Sequence, residues 1–120
     1  MSNQKSNTDY TYHNEKITTL SGNLPKVNSP VAPAEIDPET GQREDYWVLR
    51  KEEIAKGFVR PFCDSYIHTV CNKKTGMDKQ IAESFARDPK FYGSTFCTFC
   101  KGHFPVSEFV WTLNRTEVGS

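Results

Sequence analysis

The sequence lacks any apolar run approaching the roughly 18 residues that a membrane span requires. No charged segment leads into a short apolar stretch in the manner of an export signal. Neither a membrane-embedded nor a secreted protein is expected. Net charge is also missing, with 15 basic against 15 acidic side chains, which argues against a protein that coats nucleic acid by charge alone. There is no internal repeat and no low-complexity run, which excludes solenoid and array architectures. At 120 residues the chain has room for one domain, and for a marginal one if part of it stays unfolded.

What is present is unevenly distributed. Residues 1–45 hold two of the fifteen aromatics, Tyr10 and Tyr12, and four of the seven prolines, Pro25, Pro30, Pro33 and Pro38. Their apolar residues (Ile17, Leu20, Leu24, Val27, Val31, Ile36) follow no sustained period. A segment of this kind is expected to bury too little to offset the entropy of ordering it. It reads as a flexible, disordered N-terminal arm, with Asp37-Pro38-Glu39-Thr40-Gly41 as a turn near its end. Residues 46–120 hold every phenylalanine and all four cysteines. A single core is marginal in about 75 residues, and a metal staple is a common remedy.

Four cysteines stand at positions 63, 71, 97 and 100. Cys97-Thr98-Phe99-Cys100 has the spacing of a zinc knuckle: two thiolates two residues apart bite one ion from a tight turn, with Gly102 soon after. The same spacing serves redox pairs, but no thioredoxin-like βαβ pattern surrounds it, and a second pair with x2 spacing, His68-Thr69-Val70-Cys71, lies upstream. Together they define a closed Cys3His set, which zinc prefers and which leaves no position for a reacting water. Cys63 and His103 compete with His68 for the fourth place. Cys63 has no partner at short spacing and reads as a small buried hydrophobe, whereas His103 follows Cys100 too closely to complete the site without distorting the knuckle.

A helix is expected from about Met77 to Arg87. Thr75 is its candidate cap, with Asp78 as the acidic partner of a capping box, and Met77, Ile81, Ala82 and Phe85 form one apolar stripe. Tyr46–Leu49 reads as a strand, and Lys51–Lys56 as one or two helical turns before Gly57. Thr95–Phe99 and Phe104–Leu113 read as short strands around the knuckle, with Ser107–Trp111 open to a helical turn. The fold class that follows is α+β: a small zinc-stapled domain, zinc-ribbon or treble-clef-like, over residues 46–120, with one main helix between two ligand pairs.

Arg60-Pro61, Asp64-Ser65-Tyr66-Ile67-His68, Cys71, Ile81-Ala82-Glu83 and Ala86-Arg87-Asp88-Pro89-Lys90-Phe91-Tyr92-Gly93 resemble small proteins of phage and prophage genomes. The likeness continues through Thr95-Phe96-Cys97, Cys100, His103, Pro105-Val106, Glu108-Phe109-Val110-Trp111 and Val118-Gly119-Ser120, and covers about residues 57–120. Similar proteins keep the histidine, the single cysteine and the C-x2-C, so the resemblance favours His68 as fourth ligand. It implies phage origin and a metal, not a reaction. A looser likeness links Cys-x2-Cys-x4-Pro-x2-Glu-Phe to the zinc-binding entry segment of phage nucleases with an HNH or endonuclease VII core. No Asp-His or His-His pair follows here, so a relative of those nucleases is expected to be one without its active site.

Two functions compete. One is a zinc-stabilised cytoplasmic protein, made in a phage-infected host, that binds a host or phage protein. Thirteen aromatics in 75 residues exceed what so small a core must hold, and Phe99, Phe104 and Trp111 are the candidates to face a partner. The alternative is a zinc-knuckle nucleic-acid binder with Lys73, Lys74, Lys79, Arg87, Lys90 and Lys101 as a mild basic face. Catalysis is not expected. Asp64, Asp78, Glu83 and Asp88 show no spacing for paired acid–base work.

Overall fold

Strand-forming residues come in runs of only three or four, so the architecture is a set of small sheets. The computed structural model describes residues 12–120. In order, the elements are β1 (Ile17–Thr19), β2 (Trp47–Leu49), α1 (Lys51–Ile54), β3 (Ser65–His68), β4 (Lys73–Gly76), α2 (Lys79–Arg87), β5 (Ser94–Cys97), β6 (Gly102–Pro105), a single 3-10 turn (Val106–Glu108) and β7 (Phe109–Trp111). They form three antiparallel sheets, β1-β2, β4-β3-β7 and β5-β6. The class is mixed, as expected, but strands dominate. The expected architecture built on one main helix is corrected: sheet outweighs helix, because the segments on both sides of α2, including both ligand-bearing turns, pair as antiparallel hairpins.

The core is aromatic. Tyr66, Phe85, Phe109 and Trp111 are buried together with Cys63, Cys97 and Val118. The Tyr66 ring meets Phe109 edge-on at 5.1 Å and Trp111 at 6.2 Å, and Phe85 meets Trp111 edge-on at 5.4 Å. Such pairs contribute roughly 0.5–1.5 kcal/mol each beyond the area they bury. The Tyr66 hydroxyl donates to the Phe96 carbonyl and accepts from Thr95, which ties the three-stranded sheet to β5. Arg60 covers the outer side of Trp111, its guanidinium 5.8 Å from the ring and donating to Thr116 and to the Ser120 carbonyl.

Helix α2 carries most of the expected stripe, with Ala82 and Phe85 buried and Ile81 packed against the core; Met77 also packs there but stands just before the N-cap, outside the helix. Its cap differs from expectation. Asp78, not Thr75, is the N-cap, and its carboxylate accepts from the Gln80 N–H at 2.8 Å. Thr75 lies in β4 and turns inward. The opposite side of α2 meets β2: Ser84 Oγ accepts from the Leu49 N–H at 3.0 Å and donates to the Gln80 carbonyl.

That contact explains a second correction. The part of the expected arm before residue 12 lies outside the described residues, but residues 12–45 are not free. β1 pairs with β2 in the register Ile17↔Leu49, Thr18↔Val48, Thr19↔Trp47, so one sheet spans the division expected at residue 46. Thr19, Ala32, Pro33 and Ala34 are buried, and Trp47 Nε1 donates to the Ser29 carbonyl at 2.8 Å. Leu24, Val31 and Ile36 stay exposed, so the segment is held by small buried residues and by strand pairing with Trp47-Val48-Leu49, a partner that composition averaged over residues 1–45 does not reveal. A hairpin bridged at Ile36 and Arg43 then brings Gly41 against the backbone of Lys101.

Gly41 tests this packing. It has φ +80°, and a Cβ there would stand 2.1 Å from the Lys101 carbonyl oxygen. Gly22 has a similar φ of +85° with nothing nearby. Gly41→Ala is expected to cost about 3 kcal/mol through strain and overpacking, against about 1 kcal/mol for Gly22→Ala. Denaturant unfolding of the two variants measures the difference; equal losses would show that residues 36–43 do not seat on Lys101.

Candidate metal centre

Two hairpins point their tips at one another. In the first, β3 ends at His68, β4 begins at Lys73, and these two residues are cross-strand partners. In the second, β5 ends at Cys97, β6 begins at Gly102, and these are partners too. Each turn therefore spans four residues, and the two correspond position by position: His68 to Cys97, Thr69 to Thr98, Val70 to Phe99, Cys71 to Cys100, Asn72 to Lys101. The backbone agrees. Asn72 has φ +60° and its N–H donates to the His68 carbonyl at 2.6 Å, while Lys101 has φ +56° and donates to the Cys97 carbonyl at 2.8 Å. The left-handed residue is Lys101, one place before the glycine on which the sequence reading laid weight, and asparagine adopts that region more readily than lysine.

The side chains of His68, Cys71, Cys97 and Cys100 meet at the tips, with all four ligand atoms within 4.8 Å of one another. Cys71 Sγ lies 3.6 Å from both Cys97 Sγ and His68 Nδ1, and Cys100 Sγ lies 3.6 Å from His68 Nδ1. A tetrahedral ion with metal–sulfur bonds of about 2.3 Å and a metal–nitrogen bond of about 2.0–2.1 Å has ligand–ligand edges of about 3.6–3.8 Å. The group fits one ion, and it can hold a metal. Its rivals lie elsewhere. Cys63 is packed in the aromatic core, and His103 Nε2 is 2.8 Å from the Tyr46 hydroxyl.

The surroundings hold the ligands in place. His68 is 1% exposed, with its ring between Phe109 (4.5 Å, 21°) and Phe104 (4.7 Å, 30°). Its Nε2 donates to Glu108 Oε1 at 2.8 Å, which leaves the Nδ1 lone pair facing the sulfurs. A carboxylate behind a ligating histidine fixes its tautomer and raises its basicity. Glu108 was missed in the sequence reading. The register pairs His68 with Phe109, so the preceding residue arrives beside the ring, and the Glu108 carbonyl is itself held by the Thr69 N–H and hydroxyl. On the opposite side, Thr75 Oγ1 accepts from the Thr98 N–H at 3.2 Å and joins β4 to the second turn.

Two of the ligand thiols are displaced in opposite directions. Burial works to raise Cys97, but hydrogen bonds from the Cys100 N–H and from the Cys71 and Cys100 thiols outweigh it and hold this thiol down to about 7. Desolvation, followed by the neighbouring Cys97 and Cys71, pushes Cys100 up to about 11. One thiolate forms readily, and its negative charge opposes the next. A divalent cation removes that conflict.

Of the residues expected to face a partner, Phe99 does stand out, at 62% exposed. Phe104 is half-buried over His68. Trp111 is corrected: at 1% exposed it is core, because β7 pairs with β3 and carries its ring under Tyr66. Val70, missed in the sequence reading, is 72% exposed at the place equivalent to Phe99.

Mixed sheet and helix around a four-residue His/Cys centre define a protein with a candidate metal-binding site. No protein-family model, characterised protein or solved structure matches the chain.

Cys71→Ser and Cys97→Ser are each expected to lose the metal and unfold the domain, since metal-binding energy in small domains is folding energy. Cys63→Ser should keep it. Glu108→Gln should keep the fold but weaken metal affinity about 10–100-fold. Metal content and chelator competition read all four; wild-type metal retention by either ligand variant would disprove the site. Proton release sets the pH dependence. Because Cys100 must lose its proton to bind, affinity should fall at least about a hundredfold from pH 8 to pH 6, and further once Cys97 is protonated below about 7.

Proposed function

We propose that the protein is a zinc-stapled binding module that recognises another protein and does not itself catalyse. The observation that carries this is the convergence of the centre: three sulfurs and one imidazole nitrogen, all from this chain, lie within 4.8 Å of one another, with three of their separations at 3.6 Å. Thiolate-rich tetrahedral sets favour zinc, and a zinc with four protein ligands has no position at which to activate water. The paired hairpin tips support a zinc-ribbon-like arrangement over a treble clef, because both ligand pairs come from turns and none from α2.

The resemblance to phage and prophage proteins supports a phage-encoded protein that acts on a host or phage protein, in host takeover or counter-defence. Three ligand thiols and the free Cys63 suit a reducing cytoplasm, and no helix among the described residues is long and apolar enough to cross a membrane. A second reading, single-stranded nucleic-acid binding at the knuckles, draws on one contact: the Lys73 ammonium lies 5.4 Å from the centre of the exposed Phe99 ring, the pairing of charge and aromatic face that such sites use.

Cobalt substitution tests the closed centre. The cobalt form is expected to show intense tetrahedral bands with thiolate character that do not move when azide is added. Bands that shift with azide would reveal an open position and overturn the non-catalytic reading. Tagged full-length protein, compared with Phe99→Ala after nuclease treatment of the extract, should retain a specific protein partner that the variant loses.

A further inference from the structure

We infer that the two knuckle tips form one docking face for an acidic partner segment carrying apolar anchors; this rests on the binding-module reading and names the chemistry of the partner. Val70 and Phe99 occupy equivalent places, each between two ligands, and are 72% and 62% exposed. Neither can fold back, because the ligands on both sides hold its backbone. Lys73 of the first hairpin reaches the Phe99 ring of the second, with its ammonium 5.4 Å from the ring centre. That contact joins the two tips into a single surface.

The surface is positively charged as well as apolar. Lys73, Lys74 and Lys101 lie within three residues of a ligand and are exposed, and among the described residues none of them forms an ion pair. Glu108, the carboxylate beside Thr69, is taken up by His68. A ligand for this face needs an apolar side chain to cover Phe99 and Val70 and carboxylates to meet Lys73 and Lys101, whereas Lys74, the next residue of β4, leaves the other side of the strand. An acidic peptide segment with leucine- or phenylalanine-like anchors supplies both.

Single-stranded nucleic acid fits less well. Only one tip carries a ring, Val70 offers no face on which a base can stack, and the chain as a whole has no net positive charge to collect phosphates. Holding the tips on a metal lowers the entropy lost when they are engaged.

The test is fluorescence anisotropy of the zinc-loaded full chain with a labelled peptide of alternating glutamate and leucine. The same peptide with lysine in place of glutamate, and a labelled oligothymidylate, serve as comparisons. Saturable binding of the acidic peptide alone is expected. It should weaken at least about tenfold in Phe99→Ala and in Lys73→Glu, two exposed positions at which zinc content should stay at wild-type level. Equal binding of the lysine peptide, no binding of the acidic one, or full affinity in both variants would overturn the inference. Oligothymidylate binding with the same dependence on Phe99 and Lys73 would replace it with the nucleic-acid reading. Failure of the peptide together with azide-insensitive cobalt bands and a Phe99-dependent protein partner would remove only the chemistry assigned to this face and leave the binding module standing.

Discussion

Four ligand atoms have to meet at one point, and they are delivered by two hairpin tips that are far apart in sequence. Much of the structure serves that requirement. The β5-β6 sheet has two strands, and an isolated two-stranded hairpin is marginal in water. Its tip nevertheless carries half of the centre. Both turns take the same left-handed step, at Asn72 and at Lys101, and each closes with an N–H donated to the carbonyl of the first ligand of its pair. Glu108 and the two flanking phenylalanines then fix the one ligand whose ring could rotate.

Packing beyond the centre transmits the same constraint. Tyr66 and Thr95 join the first hairpin's sheet to the second hairpin, and Thr75 and Thr98 join them again nearer the tips. On the other side of α2, Ser84 binds the Leu49 backbone and Tyr92 donates to the Trp47 carbonyl. The N-terminal segment is thereby attached to the same helix that backs the core, and Gly41 returns along the chain to lie against Lys101. Each of these links uses a side-chain hydroxyl, from Tyr, Thr or Ser, that finds a hydrogen-bond partner where it is covered, or a glycine that allows close approach.

The arrangement also divides the aromatics by role. Those on β3, α2 and β7 are consumed as core, which is why Trp111 does not reach the surface. Those over His68 shield a ligand. Outside stand Phe99 and Val70 at the tips, and also Phe58 and Phe62, which stack on one another in the segment before β3. In the binding role proposed above, an exposed apolar residue on a turn held by a metal would have little left to order on binding.

Features governed by neighbours close in sequence were legible there. The x2 spacing of His68 with Cys71 and of Cys97 with Cys100 sets the bite of each pair through the turn alone. The stripe of Ile81, Ala82 and Phe85 follows from helical period. Features decided by partners far along the chain were not legible. Asp78 outcompetes Thr75 as cap because β4 pairing with β3 turns Thr75 inward. Glu108 reaches His68, and Trp111 is buried, only through the register of β7 on β3. Residues 17–34 fold because β2 and α2 leave an apolar strand to be covered. By itself the sequence determined which side chains can bite an ion. Tertiary structure decided that the two bites share a single centre and which apolar groups stay exposed, since those outcomes depend on strand register across tens of residues.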